Sequence, residues 1–216
     1  MWNFFGQAWM LVITLLTMPF IIHRLGIDLY ALYTLIGIII GYFGFLQFGL
    51  GAASIKYIAQ YLSKKDEVNI KKTFWSCLFV YVLVGLLGAI IIASFAPILV
   101  ARFLKIPAEL KELSVLVLKI GSLGFLVSML LGVTSSVMQA IGRFDILNRV
   151  GMILGTAQII TTVILLKYGF SLKAIVISNI AGQMIGVFVY WVCALRLLPF
   201  LSKPTLDIAT VKRLFK

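Results

Sequence analysis

Acidic residues are scarce, with 7 Asp and Glu set against 19 Lys and Arg in 216 residues. Asp28, Asp66, Glu67, Glu109, Glu112, Asp145 and Asp207 all fall in connectors between apolar runs. Two carboxylates therefore do not face one another for acid–base work, and none sits at membrane depth to exchange a proton or Na⁺. The single histidine, His23, lies beside Arg24 at the edge of an apolar run and reads as an interfacial residue. Cys77 and Cys193 lie within apolar runs, without the spacing of metal ligands or of a redox pair, and read as packing residues. No metal and no cofactor are expected. Gly49-Leu-Gly51 lacks the third glycine and the preceding strand of a dinucleotide loop. No cleavable leader is expected, because the first apolar run is bounded by Asn3 and Gln7 rather than by a basic segment and has no small-x-small site.

What the chain has in abundance is apolar length. It is 62% hydrophobic, with a mean hydropathy of +1.11. Six apolar runs, at 4–22, 29–50, 74–95, 114–138, 150–166 and 173–195, approach or exceed the roughly 20 residues that an α-helix needs to cross a hydrocarbon core of about 30 Å. The expected fold is all-α, a polytopic membrane bundle of six transmembrane helices. One membrane domain over residues 1–198 is expected, followed by a basic cytoplasmic segment over 199–216. The second run is expected to continue as a helix past Gly51, carrying Lys56 into the cytoplasm. Pro19 is expected to kink or end the first helix, and 94–113 to form an external connector with a short interfacial helix.

The positive charge is spread over the connectors without interleaved aromatics, which excludes nucleic acid as a partner. It does orient the chain. With a cytoplasmic amino terminus, Arg24, Arg102, Lys105, Lys111, Lys167 and Lys173 lie outside and Lys119 lies within the fourth span, leaving twelve of the 19 basic residues inside. Both termini are therefore expected in the cytoplasm.

Polar and small residues form stripes. At 100° per residue, Asn3, Gln7, Thr14 and Thr17 fall within an arc of about 80°. Gly151, Gly155, Gln158 and Thr162 share a face of the fifth span, and Ser178, Gly182, Gln183, Gly186 and Tyr190 share one of the sixth. Gly37-x-x-x-Gly41, Gly151-x-x-x-Gly155 and Gly182-x-x-x-Gly186 have the spacing that lets helix backbones approach closely. These faces serve interhelical hydrogen bonds or line a hydrated cavity. Lys119 is the one cation inside a span. It points roughly away from the small stripe of its own helix, Gly121, Gly124, Ser128, Gly132, Ser135 and Gln139, and either meets an anion or snorkels outward.

Three stretches carry a resemblance. Leu25-Gly26-Ile27-Asp28-Leu29-Tyr30-Ala31-Leu32-Tyr33 opens the second span; Gln47-Phe48-Gly49-Leu50-Gly51-Ala52-Ala53-Ser54-Ile55-Lys56 closes it; Gln139-Ala140-Ile141-Gly142-Arg143-Phe144-Asp145, leading to Asn148, joins the fourth and fifth. Their order and spacing resemble the bacterial oligosaccharide flippases, within the superfamily that includes multidrug and toxin extruders. Gln47 stands where that family often has Asp, and the Gly-Phe-x-Arg-Asp stretch of the peptidoglycan-precursor flippases is not found.

The resemblance implies one six-span lobe of a two-lobe exporter that moves polyprenyl-diphosphate-linked oligosaccharide across a bacterial or archaeal cytoplasmic membrane, making and breaking no bond. It implies as partners the lipid-linked oligosaccharide, the bilayer, glycan polymerisation or assembly proteins, and a second lobe or a homodimer partner. Lys56 and Arg143 are the expected cations at the cytoplasmic mouth and Lys119 and Arg24 toward the outer side, with Asn3, Gln7 and Gln183 as sugar contacts. The alternatives are a cation or drug antiporter of the same superfamily and a noncatalytic scaffold of a glycan-assembly complex.

Overall fold

The computed structural model describes residues 2–211 except 44, 105, 206, 208 and 209, with the side chains of 2–5 and 43–48 also outside the description. Seven α-helices run in order among the described residues: α1 (Trp2–Leu25), α2 (Ile27–Phe43), α3 (Phe45–Ser63), α4 (Glu67–Ile98), α5 (Lys111–Ala140), α6 (Phe144–Lys167) and α7 (Leu172–Leu197). A π-helical turn, Leu99–Phe103, prolongs α4; 3₁₀ turns at Ala108–Leu110 and Pro199–Ser202 precede α5 and follow α7. No strand occurs among the described residues. Five helical stretches are long and apolar enough to cross a membrane: Gly6–Leu25, Glu67–Phe103, Ala108–Ala140, Phe144–Lys167 and Leu172–Leu197, with Ile27–Tyr42 as a shorter apolar helix. The chain is an all-helical, multi-pass membrane bundle.

The connectors are short because particular residues end one helix and start the next. Gly142, at φ +77°, takes the left-handed conformation that closes α5, where the Gly142 N–H donates to the Gln139 carbonyl and the Arg143 N–H to that of Met138. Gly26, at φ +81°, does the same between α1 and α2. Asp66 caps α4: its carboxylate accepts from the Asn69 backbone N–H at 3.1 Å and from Asn69 Nδ2 at 2.6 Å. These hydrogen bonds, the side-chain one first, hold the Asp66 carboxyl below the usual carboxylate range.

The helix α5 is the hub, packing against α2, α3, α4 and α7, while α1 leans on α6 and touches α2. Glycines permit the closest approach of α4 to α5. A Cβ on Gly88 would run into the Phe125 ring, and one on Gly85 would lie 2.8 Å from Leu126 Cδ1. Two buried clusters result. One, around Ile58, Phe74, Tyr81, Met129, Val137 and Leu201, lies at the Gly142 end; the other gathers Leu25, Leu32, Ile36, Ala96, Val117 and Ile175. Large apolar side chains such as Leu16, Ile90, Leu123 and Phe188 face outward, as a lipid-exposed surface requires.

Several expectations are corrected by this arrangement. The run 29–50 lies in α2 and α3, whose junction at residue 44 falls outside the described residues. The α3 helix packs back on its neighbours. Ser54 and Ile58 are fully buried against α4 and α5, with the Ser54 and Ser136 hydroxyls 2.9 Å apart and Gly51 under the Tyr81 hydroxyl. These small and apolar residues recur at helical spacing, so one face of α3 has a surface to bury. The first helix passes through Pro19 to Leu25 rather than ending there. Likewise α4 continues through Pro97, so the external connector is shorter than 94–113. The segment after α7 starts as a docked element: Trp75 Nε1 donates to the Leu201 carbonyl at 3.1 Å and Ser76 Oγ to that of Asp207 at 3.3 Å.

Candidate functional site: an amide cluster between the helices

The helices α1, α2, α5, α7 and α6 form a closed circuit of neighbours. Inside it, two gaps adjoin the same stretch of α7. One, of ≈ 250 Å³, lies between α2, α5 and α7 and is lined by Tyr33, Thr34, Gly37, Gly121, Gly124, Ser128, Asn179 and Gln183. The other, of ≈ 270 Å³, lies between α5, α6 and α7 and is lined by Leu131, Gly151, Gly155, Gln158, Asn179, Gly182, Gln183 and Tyr190. Asn179 and Gln183 border both.

Helical spacing builds this cluster. Asn179 and Gln183 are four residues apart, hence on one face of α7, and Gln183 Nε2 donates to Asn179 Oδ1 at 2.7 Å. Gln183 Oε1 is buried with no hydrogen-bond partner among the described residues. Beside the pair, Gln158 Nε2 donates to Ser178 Oγ at 3.1 Å, tying α6 to α7. Gly182 makes room for this bond, since a Cβ there would lie 2.8 Å from Gln158 Oε1. Thr162 Oγ1 donates to the Gln158 carbonyl and is thereby satisfied within its own helix. An orphaned carbonyl oxygen in a low-dielectric surrounding is costly, and it is an acceptor waiting for a donor. Chemically the cluster offers amide and hydroxyl groups to a neutral, hydroxyl-rich partner.

The stripes expected on the fifth and sixth spans do face each other here, as do Gly121, Gly124 and Ser128 of α5. Not every small pair is a packing contact, however. Among the described residues, nothing beyond their own helix comes within 4 Å of a Cβ position on Gly37, Gly41 or Gly151, so the close approach falls to Gly155 against Met10 and Gly186 against Leu131 and Leu154.

Of the expected site residues, only Gln183 lies in this cluster. Gln7 is exposed on α1, and the side chain of Asn3 lies outside the described residues, as does that of Gln47. Arg24 is exposed at the end of α1, its guanidinium 5.8 Å from the Phe20 ring centroid. Lys56 is exposed on α3, its ammonium 5.7 Å from the Tyr57 ring centroid. Arg143 is engaged by Asp145 through two hydrogen bonds of 2.9 Å, which raise its already high pKa further. Lys119 is exposed in a groove formed with the end of α4, and no residue lines both that groove and either gap at the amides. Asn179, Tyr33 and Thr34 were not anticipated. The Asn179–Gln183 spacing was a visible signal for the first; the other two lie on α2, whose partners periodicity could not identify.

Among known families, the chain matches a family of polysaccharide biosynthesis proteins over residues 25–216. The curated proteins and the solved structures give none.

Proposed function

Because the chain belongs to the polysaccharide biosynthesis protein family, we propose that it is a flippase that carries polyprenyl-diphosphate-linked oligosaccharide from the cytoplasmic to the outer leaflet of a prokaryotic cytoplasmic membrane, without making or breaking a bond. The observation that carries this reading is the amide cluster. In a bundle whose outer surface is apolar, Asn179, Gln183, Gln158 and Ser178 gather between helices, and one carbonyl oxygen among them is buried and unpartnered. Sugar hydroxyls are donors of the kind it accepts, whereas a polyprenyl tail is at home in the surrounding lipid.

The remaining parts follow from the same reading. Lys56 and Arg143 attract the diphosphate on the cytoplasmic side, with Arg143 exchanging Asp145 for phosphate, a bidentate partner of similar geometry. The exposed polar residues of α1, Gln7 and Thr14, belong against a second six-helix unit, from the same polypeptide or from another copy, and rocking of the two units alternates access. Assembly and polymerisation proteins would receive the product.

The test is transport by the full chain in vesicles carrying lipid-linked oligosaccharide, read by enzymatic trimming of the sugar that reaches the opposite leaflet. Wild-type protein is expected to speed translocation and Gln183→Leu to slow it. Equal rates with and without protein, in vesicles where it is correctly inserted, would end the flippase reading and favour a scaffold.

A further inference from the structure

The groove that holds Lys119 has a composition of its own. It is open, of ≈ 410 Å³, and lies between the end of α4 with its π turn and the first turns of α5. Its walls are Pro97, Val100, Ala101, Val115 and Leu116; its charged groups are Lys111, Glu112 and Lys119. Neither lysine has an ion-pair partner among the described residues. The groove therefore offers an apolar channel with a net positive charge.

Its depth narrows the choice of occupant. At 1.5 Å per residue, the 30 residues of α5 span about 45 Å, some 15 Å more than the hydrocarbon core. Lys119 lies about 12 Å along the helix from Lys111, so with α5 centred in the bilayer its Cα sits roughly 5 Å below the hydrocarbon boundary. A lysine side chain climbs that distance, bringing its ammonium to the phosphate layer while the stem follows the apolar wall. Lys111 then lies above, among the headgroups. A soluble anion has no use for the apolar walls, and a neutral lipid has none for the two cations.

We propose that this groove is a binding site for a glycerophospholipid with a net negative headgroup, in the leaflet opposite the one at Lys65 and Arg143, with Lys119 and Lys111 on the phosphate and an acyl chain along Pro97, Val100 and Val115. The site is independent of the amide cluster, since Lys119 and Gly121 project from nearly opposite sides of α5. The inference therefore stands whether or not the chain is a flippase.

The experiment is a titration of the purified full chain with phosphatidylglycerol and, separately, phosphatidylcholine, read by native mass spectrometry of the protein–lipid complexes. Lys119→Gln is expected to weaken phosphatidylglycerol binding about fivefold, the value of one cation at a charged interface, and Lys111→Gln to weaken it similarly. Glu112→Gln should strengthen it, and Lys119→Arg should retain it. Phosphatidylcholine binding should not change. Lys167→Gln, at the end of α6, controls for general electrostatics and should leave phosphatidylglycerol binding as it is. Unchanged binding in Lys119→Gln, or an equal loss in Lys167→Gln, overturns the site. Displacement of phosphatidylglycerol by a polyprenyl diphosphate at concentrations below those at which phosphatidylglycerol itself binds would overturn the choice of ligand.

Discussion

Replacing Gln183 by leucine separates the function of the amide cluster from its contribution to folding. The substitution removes one hydrogen bond within α7, a pair of a kind that contributes about 0.2–0.5 kcal/mol. It also leaves Asn179 Oδ1 without that donor, at a cost of about 1–3 kcal/mol if the oxygen stays dry. Against this, it eliminates the buried, unpartnered Oε1 of Gln183 itself, a group whose burial carries a penalty of about the same 1–3 kcal/mol. The penalties nearly cancel, and stability should stay within about 1 kcal/mol of wild type. Transport should not be spared. Loss of a single hydrogen bond of about 1.4 kcal/mol to the moving sugar slows translocation about tenfold. The assay pairs thermal unfolding in detergent with the vesicle translocation rate, using Ile185→Ala on the exposed side of the same helix as a control. A destabilisation above about 2 kcal/mol would show that Gln183 Oε1 is not an orphan in the folded protein. Wild-type transport in a stable Gln183→Leu protein would remove the cluster from the substrate path.

Other consequences are as direct. Gly88→Ala drives a methyl into the fully buried Phe125 ring and should lower stability by about 1–3 kcal/mol in a thermal melt, whereas Gly37→Ala, with open space at Cβ, should leave it nearly unchanged. Asp66→Ala should lower the melting temperature by uncapping α4. Because the Asp66 carboxyl titrates below its ordinary value in the folded protein, the gap to wild type should be full above about pH 5 and shrink as the pH falls through that lowered value. In a protein with Cys77 and Cys193 replaced by serine, cysteines at Lys65 and Arg143 should react with an impermeant reagent only from the cytoplasm, and one at Lys167 only from outside; reaction of all three from one face would reject the topology.

The fourth and sixth expected spans, 114–138 and 173–195, lie within α5 and α7 because a long uncharged run between basic connectors leaves a helix few alternatives in lipid. For the second, 29–50, hydropathy shows one apolar run and has no means of seeing that α3 packs on α4 and α5, while α2 packs on α1 and α5. Prolines are a weaker guide: Pro19 reads as a kink or an end and Pro97 as part of an external connector, yet both helices run through them, the second into a π turn two residues later.

At the site, the stripe of α7 that holds Gln183 was legible from period alone, although Asn179 was left out of it. Its partners were not, because which stripes face each other is decided by tertiary packing. The connector motifs have a simpler meaning than their place in the resemblance suggests: Gly26 and Gly142 supply left-handed turns and Arg143 is held by Asp145. Part of what carries the resemblance is thus turn chemistry. The cations were the least legible, since sequence gives a lysine's depth but not the side of the helix against which a neighbour builds a groove.

The attachment of α1 to α6 sets a timetable for biosynthesis. Trp9 Nε1 donates to Thr156 Oγ1 across 147 residues of chain, and the α1 span is almost wholly exposed apart from this side and its contact with α2. At about 5–20 residues per second, a ribosome takes roughly 7–30 s to make what lies between the two partners. Through that interval α1 must wait in the bilayer with the Trp9 indole without its later acceptor. The nascent chain is therefore at its most vulnerable before α6 emerges, and a chaperone or insertase that shelters polar faces in lipid would act on the first helix during that wait.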